Sequence, residues 1–354
     1  MLPESKHGLL NATLCWATVL GESVTDLAWS NDNRLLYAAS VDGQLIACQD
    51  DGDWLFRSQL HQDAITGIAV QPNGELLASA GEDGAVQLCN AGTGELQQTL
   101  LVDAQWSDFL DWSPDGYLLA SAAGKRLCVN DIQSGEQNCV EHPGSVGALA
   151  WAPSGKRLAS GANKGVYLWN VGVWEPVRVL DFPGAAISLA WNQDGKALAA
   201  GTQDGFMHVR LQGNHGKARQ LSMSGYPGKV ACLAWRPGKL SRQLCIASCG
   251  GNDVVLWYLH PVSGERKALP LRQHDRPVTQ LAWSYDGSLL ASGDRGGRVC
   301  FWSGSGEFLF DMELGSEVTA LQWHAKDRLL AVGNIDGSLR LFSLAHANTA
   351  PPAH

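Results

Sequence analysis

The 354 residues carry 35 acidic against 26 basic side chains, a net charge of −9. That balance excludes general binding to nucleic acid or anionic membranes, which needs clustered cations, and no run of about 18 apolar residues is present to span a bilayer. With 40 Gly, 14 Trp and no long helical pattern, the composition points to many short strands joined by tight turns.

The first predicted element is a strand within LLNATLCWATVL (9–20), where Leu14, Trp16 and Thr18 alternate with Cys15, Ala17 and Val19. A cassette follows and recurs to residue 344. It opens with an alternating strand such as VTDLAW (24–29), in which Val24, Asp26 and Ala28 face one way and Thr25, Leu27 and Trp29 the other. A polar turn comes next, as at Asn31-Asp32-Asn33, Pro114-Asp115-Gly116 or Asp286-Gly287, of the kind that reverses antiparallel hairpins. The second strand, LLYAAS (35–40) or LLASG (289–293), is apolar on both faces and needs a packed sheet on each side. After a second turn, as at Asp42-Gly43 or Asp336-Gly337, a third strand ends in Trp169, Trp257 or Trp302. Other units end it in Cys48, Cys89, Asn130, Arg210 or Phe342. A more polar fourth strand closes the unit, as in GELQQTLL (94–101) and GEFLFDMEL (306–314).

The anchor that ends each first strand falls at Trp29, Val70, Trp112, Trp151, Trp191, Trp235, Trp283 and Trp323, a period of about 40 residues that fills the chain. Four antiparallel strands per unit, the inner ones small and apolar, describe a propeller blade. The prediction is an all-β, eight-bladed β-propeller. Seven blades with one irregular unit is the alternative, because the third unit lacks its second-turn Asp.

The order His, Val-x-x-Leu-Ala-Trp-Ser-Pro-Asp-Gly, Leu-Ala-Ser and Asp-Gly-x-Val-x-Leu-Trp resembles the WD-repeat (Trp-Asp repeat) β-propellers over residues 9–344. The resemblance implies a buried hydrogen-bonded set of His, Ser, Asp and Trp within a blade. The His matches at His61, His142 and His274, and the Asp at Asp42, Asp83, Asp204, Asp253 and Asp336. The closing Trp matches at Trp169, Trp257 and Trp302, but Asn170, Tyr258 and Ser303 follow, so the Trp-Asp dipeptide is missing there. No unit is expected to hold the whole set, although the second has His61, Ser79 and Asp83. Burial of apolar surface, at roughly 25 cal/mol per Å², is expected to carry more of each blade's stability.

The last unit runs through its third strand, DGSLRLFSL (336–344), and then stops in AHANTAPPAH. The strand at 9–20 is therefore expected to serve as the outer strand of the last blade, closing the ring and covering an open edge. One domain is expected over residues 1–345, with 346–354 a flexible tail.

Nine dispersed cysteines, odd in number and set in apolar strands, read as reduced, buried thiols of a cytoplasmic protein. Cys245 and Cys249 face the same way, but four strand residues put them roughly 13 Å apart, too far to share a zinc ion. Cys232, on the adjoining strand, is placed to pair with either one. No metal site is expected, and no cofactor: a Cys-x-x-Cys-His haem motif and a Gly-x-Ser-x-Gly elbow are both lacking. Pyrroloquinoline quinone enzymes are similar in their Thr-Gly-Glu turns, seen at Thr93-Gly94-Glu95, yet their vicinal Cys pair is missing.

What remains is surface recognition. In the family, the loop leading into each first strand and the second turn line one face, and partners dock there. Most of these loops are small and neutral here, so Trp106, Lys229, Arg276, Arg295, Glu82 and Glu317 stand out as partner-binding candidates. Packing of Trp106 into the adjacent blade is the competing reading. Trp16, Trp54 and Trp174 sit on outer strands, as a rim contact or as cover for a blade edge. The expected function is a non-catalytic, monomeric scaffold for one or more protein partners. An enzyme or small-molecule binder using the central channel, or an accessory of a metal-handling system, are the alternatives.

Overall fold

The Leu-Ala-Ser segments lie where two apolar faces require, between neighbouring sheets: Leu77, Ala78, Leu290 and Ala291 are wholly buried. The computed structural model describes residues 10–72, 74–101, 109–163, 165–212, 218–238, 243–325 and 328–346. Eight four-stranded antiparallel sheets form there, and no helix occurs among the described residues. Blades 1 to 7 comprise residues 24–59, 65–101, 109–141, 148–180, 186–223, 232–271 and 278–313. Blade 8 comprises residues 318–346 together with Leu10–Val19. The third unit makes a regular blade despite its missing Asp, so the count is eight.

No blade has a core of its own. Each apolar cluster joins two neighbours, and the clusters run through all eight junctions, from blades 1 and 2 around to blades 8 and 1. At the last of these, Leu27, Leu36 and Ile46 pack with Ala331, Leu339 and Leu341.

The anchor tryptophans add a polar stitch to this packing. A buried indole N–H needs an acceptor, and each finds a carbonyl on the first strand of the preceding blade. Trp112 donates to Ala69, Trp151 to Asp111, Trp191 to Ala150, Trp235 to Ala190, Trp283 to Ala234 and Trp323 to Ala282, at 2.9–3.2 Å. Trp29 completes the circuit with a longer bond, 3.5 Å, to Gln322 of blade 8. Val70 has no donor to offer; at that junction the Asp26 carboxylate of blade 1 accepts from the Ile68 N–H at 3.0 Å.

The N-terminal strand Leu10–Val19 pairs with Ser338–His346, from Leu10 opposite His346 to Val19 opposite Ser338, with a register shift between Leu14 and Trp16. It also grips blade 1. The Trp16 indole donates to the Asp50 carbonyl at 3.0 Å, and the Trp54 indole donates to the Thr18 hydroxyl at 3.2 Å. Gly52, with φ of 91°, lies against the Trp16 ring, where a Cβ would collide.

The cysteines correct the sequence reading in two respects: Cys15 is exposed and Cys232 only partly buried, and one pair is oxidised. Cys128 and Cys139 are joined by a disulfide with Cα atoms 4.1 Å apart. The third and fourth strands of blade 3 place these two residues directly opposite each other, a register that spacing alone does not disclose. The other seven cysteines are free thiols.

Candidate interaction face

The loops that lead into the first strands share one face with the second turns, and buried polar sets tie the two together. In blade 2, His61 Nδ1 donates to Asp83 at 2.9 Å while Ser79 donates to Nε2 at 2.8 Å. The Gln62 N–H donates to the other Asp83 oxygen at 3.1 Å, so the carboxylate holds the loop as well as the ring. In blade 4, Ser160 links His142 (2.9 Å) to the Trp169 indole (2.8 Å), and His142 Nδ1 donates to the Gly144 carbonyl instead of to an acid. Burial holds the His142 imidazole below its usual pKa, with the Gly144 bond opposing.

Blade 7 carries the whole set, contrary to the expectation that no unit would. Trp302 donates to Ser292 (2.9 Å), Ser292 to His274 Nε2 (2.7 Å), and His274 Nδ1 to Asp294 (2.7 Å). Sequence comparison misses this acid because Asp294 ends the second strand, where blade 2 has Gly81, rather than occupying the turn position of Asp83. In blade 6 the role of His falls to Tyr226, whose hydroxyl takes the Trp257 indole N–H at 2.7 Å and bonds Ser248 at 2.6 Å. Asp253 stays outside that set and pairs with Arg272 at 3.1 Å. Leu20 in blade 1 and Phe182 in blade 5 stand at the same place, each almost fully buried.

These sets position the candidate residues. His274 precedes Asp275-Arg276-Pro277 and Asp294 precedes Arg295, so their bond draws the two loops together. The Arg295 N–H donates to the Pro277 carbonyl at 3.0 Å, and the Arg276 stem lies over Gly296. Arg276 and Arg295 are both exposed. Arg295 lies 3.5 Å from Glu317 of blade 8, whereas Arg276 has no ion-pair partner among the described residues. Lys229 is exposed on the adjacent blade 6. Glu82, also exposed, lies on blade 2 and is not brought near the arginines. Trp106 falls outside the described residues.

The ring has two concavities, one in the central channel and one on the opposite face. A channel cavity of about 460 Å³ is walled by inner-strand residues, among them Phe109, Leu149, Leu189, Leu233, Leu281 and Cys232. A second, of about 740 Å³, is bordered by Asn192, Asp194, Trp235, Arg236, Tyr258 and Asp286 at the turns between first and second strands. Arg236 is tied down in it, donating to the carbonyls of Gly287 (2.8 Å) and Gly304 (3.0 Å). Among the described residues no three His, Cys, Asp or Glu side chains group as metal ligands. No described helix is long and apolar enough to cross a membrane.

The fold and its braced loops thus define a closed propeller of repeated four-stranded blades with one loop-rich, polar face. The chain belongs to the WD-repeat β-propellers. The family described as WD domain, G-beta repeat matches residues 135–170 and 266–303, and the anaphase-promoting complex subunit 4 WD40 domain matches 27–115 and 302–352. Among individual proteins, the serine-threonine kinase receptor-associated protein of Homo sapiens is 25% identical over 289 residues, 79% of each chain. An uncharacterized WD repeat-containing protein of Schizosaccharomyces pombe is 29% identical over 55% of this chain, which spans only 37% of that protein. The Arabidopsis thaliana protein named cell division cycle 20.1, cofactor of APC complex, is 29% identical over 65% of this chain and 52% of its own length. The computationally designed Ika8 protein, 24% identical, shares the fold with a TM-score of 0.76 over 92% of this chain and 97% of that one.

Proposed function

We propose that this chain is a non-catalytic scaffold, one domain over residues 1–345, that binds one or more protein partners through the face bearing Arg276 and Arg295. WD-repeat propellers generally act as protein-interaction scaffolds, and two of the relatives carry names of associated or cofactor proteins. The observation that carries the reading is the bracing of two exposed arginines by the buried His274–Asp294 bond. Rigid presentation lowers the entropy lost on docking, and arginine is enriched at binding hot spots. Exposed Lys229 on the neighbouring blade adds a third cation to this face, which suits an acidic segment of a partner able to displace Glu317 from Arg295. Glu82, Glu317 and Trp106 extend the proposed contact around the face. The scaffold is proposed to be monomeric on its own and cytoplasmic. Seven free thiols support that location, and the Cys128–Cys139 bridge counts against it.

Affinity purification from native lysate tests this reading, comparing wild type with Arg276→Glu, Arg295→Glu and Trp106→Ala. The expected result is loss of at least one partner in the arginine variants, with unchanged melting. Identical partner sets for all four proteins would sink it.

A further inference from the structure

Cys232 begins the innermost strand of blade 6, Cys232–Trp235, and Cys249 ends the next strand, Leu244–Cys249. The register sets them directly opposite each other. Opposed residues of an antiparallel pair have Cα atoms about 4.5–5.5 Å apart and side chains on one face. A disulfide accepts Cα separations of about 4.4–6.8 Å.

The sulfur contacts agree with that placement. Cys232 donates to the Thr279 carbonyl at 2.9 Å and Cys249 to the Val278 carbonyl at 3.5 Å. These are consecutive carbonyls on the facing strand of blade 7, so both sulfurs converge on one point between the blades. The chain supplies its own precedent, because Cys128 and Cys139 stand in the same cross-strand relation and are bridged. Cys245, opposite Tyr258, has no such neighbour.

We propose that Cys232 and Cys249 are a peroxide-reactive dithiol in the wall of the central channel, which closes to a cross-strand disulfide on oxidation. Cys232 is partly exposed and borders the channel cavity of about 460 Å³, wide enough to admit hydrogen peroxide. Its partner is buried. When Cys232 ionises, the single Cys249 proton turns from the Val278 carbonyl to the Cys232 sulfur; that bond holds the Cys232 thiol below its usual pKa against the opposing effect of burial, and with burial it pushes Cys249 well above. Cys232 is thus the attacking sulfur and Cys249 the resolving one. By contrast Cys48, Cys89 and Cys300 are fully buried, and burial pushes each thiol up to about 12.

The Cys232 thiolate attacks one peroxide oxygen, the O–O bond breaks, and the departing hydroxide takes up a proton to leave as water. The resulting sulfenic acid is attacked by Cys249 sulfur, which loses its proton as the S–S bond forms and a second water departs. Two thiols and one hydrogen peroxide give one disulfide and two waters. The sulfurs lose two electrons and the peroxide oxygens gain them.

The test uses full-length protein reduced with a thiol, freed of reductant, treated with hydrogen peroxide, alkylated and digested for peptide mass mapping. The expected result is a linked pair of peptides carrying Cys232 and Cys249, lighter by two hydrogens, with Cys48, Cys89 and Cys300 still alkylated. In Cys249→Ser, dimedone should trap Cys232 as its sulfenic acid. In Cys232→Ser, peroxide consumption of Cys249 should slow about tenfold or more. Wild-type protein that shows no Cys232–Cys249 link after peroxide overturns the proposal, as does oxidation of Cys249 at an unchanged rate in Cys232→Ser.

Discussion

His274 and Asp294 are joined by a 2.7 Å hydrogen bond with both side chains almost wholly withdrawn from water. Asp83 reaches His61 in the same way from a position two residues later in its turn. The two blades have exchanged a Gly and an Asp: Gly81 and Asp83 in one, Asp294 and Gly296 in the other. A side chain at Gly81 would strike the His61 ring, which is why blade 2 needs glycine there.

Asp294→Ala should destabilise the protein by about 1–3 kcal/mol, because a buried imidazole N–H loses its acceptor. Gly296 does not adopt a positive φ, and a Cβ there would meet the Arg276 stem at 3.1 Å, so it can accept a side chain once that flexible stem shifts. The double change Asp294→Ala/Gly296→Asp should restore roughly half of the loss or more. Urea unfolding of both variants decides this, and equal instability of single and double variants would refute the equivalence.

Asp26 and Asp111 give the fold a dependence on pH. Burial raises each to about 6 from 3.8, against the hydrogen bonds from backbone N–H groups that lower it. Between those values the unfolded chain has released a proton that the folded chain retains, so stability falls as pH rises through the window and levels off above it. Buried His142, His208 and His274, held low chiefly by desolvation, act oppositely as pH falls. The difference between wild type and variant isolates the acids. From pH 4 to pH 7, Asp26→Asn and Asp111→Asn should each gain on wild type by on the order of 1–2 kcal/mol, superimposed on any constant offset. A pH-independent difference would contradict the assignment.

Trp151→Phe keeps an aromatic side chain but removes part of the buried ring system together with its donor to the Asp111 carbonyl. Tyr226→Phe removes the hydroxyl shared by Trp257 and Ser248. Each should cost about 1–2 kcal/mol, visible as a lowered melting temperature with an unchanged circular dichroism spectrum.

Deletion of residues 10–19 should leave Ser338–His346 as an open edge and strip the Trp16 and Trp54 contacts from blade 1. The expected outcome is an aggregated product in sedimentation. A soluble truncated protein with wild-type melting would argue against closure by this strand.

The period of about 40 and the surplus strand at 9–20 made the blade count and the ring closure legible. Those features depend on local alternation, which a single sequence displays. The braces were less legible. Asp294 and Tyr226 come from positions where a repeat comparison expects other residues, and only the folded register shows that they reach the same partners. Cys128 with Cys139 was hidden for the same reason, and Cys232 was left to pair with Cys245 or Cys249 until the register chose Cys249, since strand register fixes opposition while hairpin length varies. Of the proposed contact residues, Arg276 and Arg295 proved adjacent because a buried bond between two loops joins them, a relation with no signature in spacing.

Closure by Leu10–Val19 sets an order of events in the cell. Among the strands of the ring, Leu10–Val19 is made before all others, and its partner Ser338–His346 after all others. At synthesis rates of about 5–20 residues per second, Leu10 waits on the order of tens of seconds for His346. Throughout that interval seven blades can assemble but the circle cannot shut, and an unpaired, partly apolar segment must be kept from other chains. Whatever covers Leu10–Val19 during that interval therefore bears on how many chains reach the closed ring.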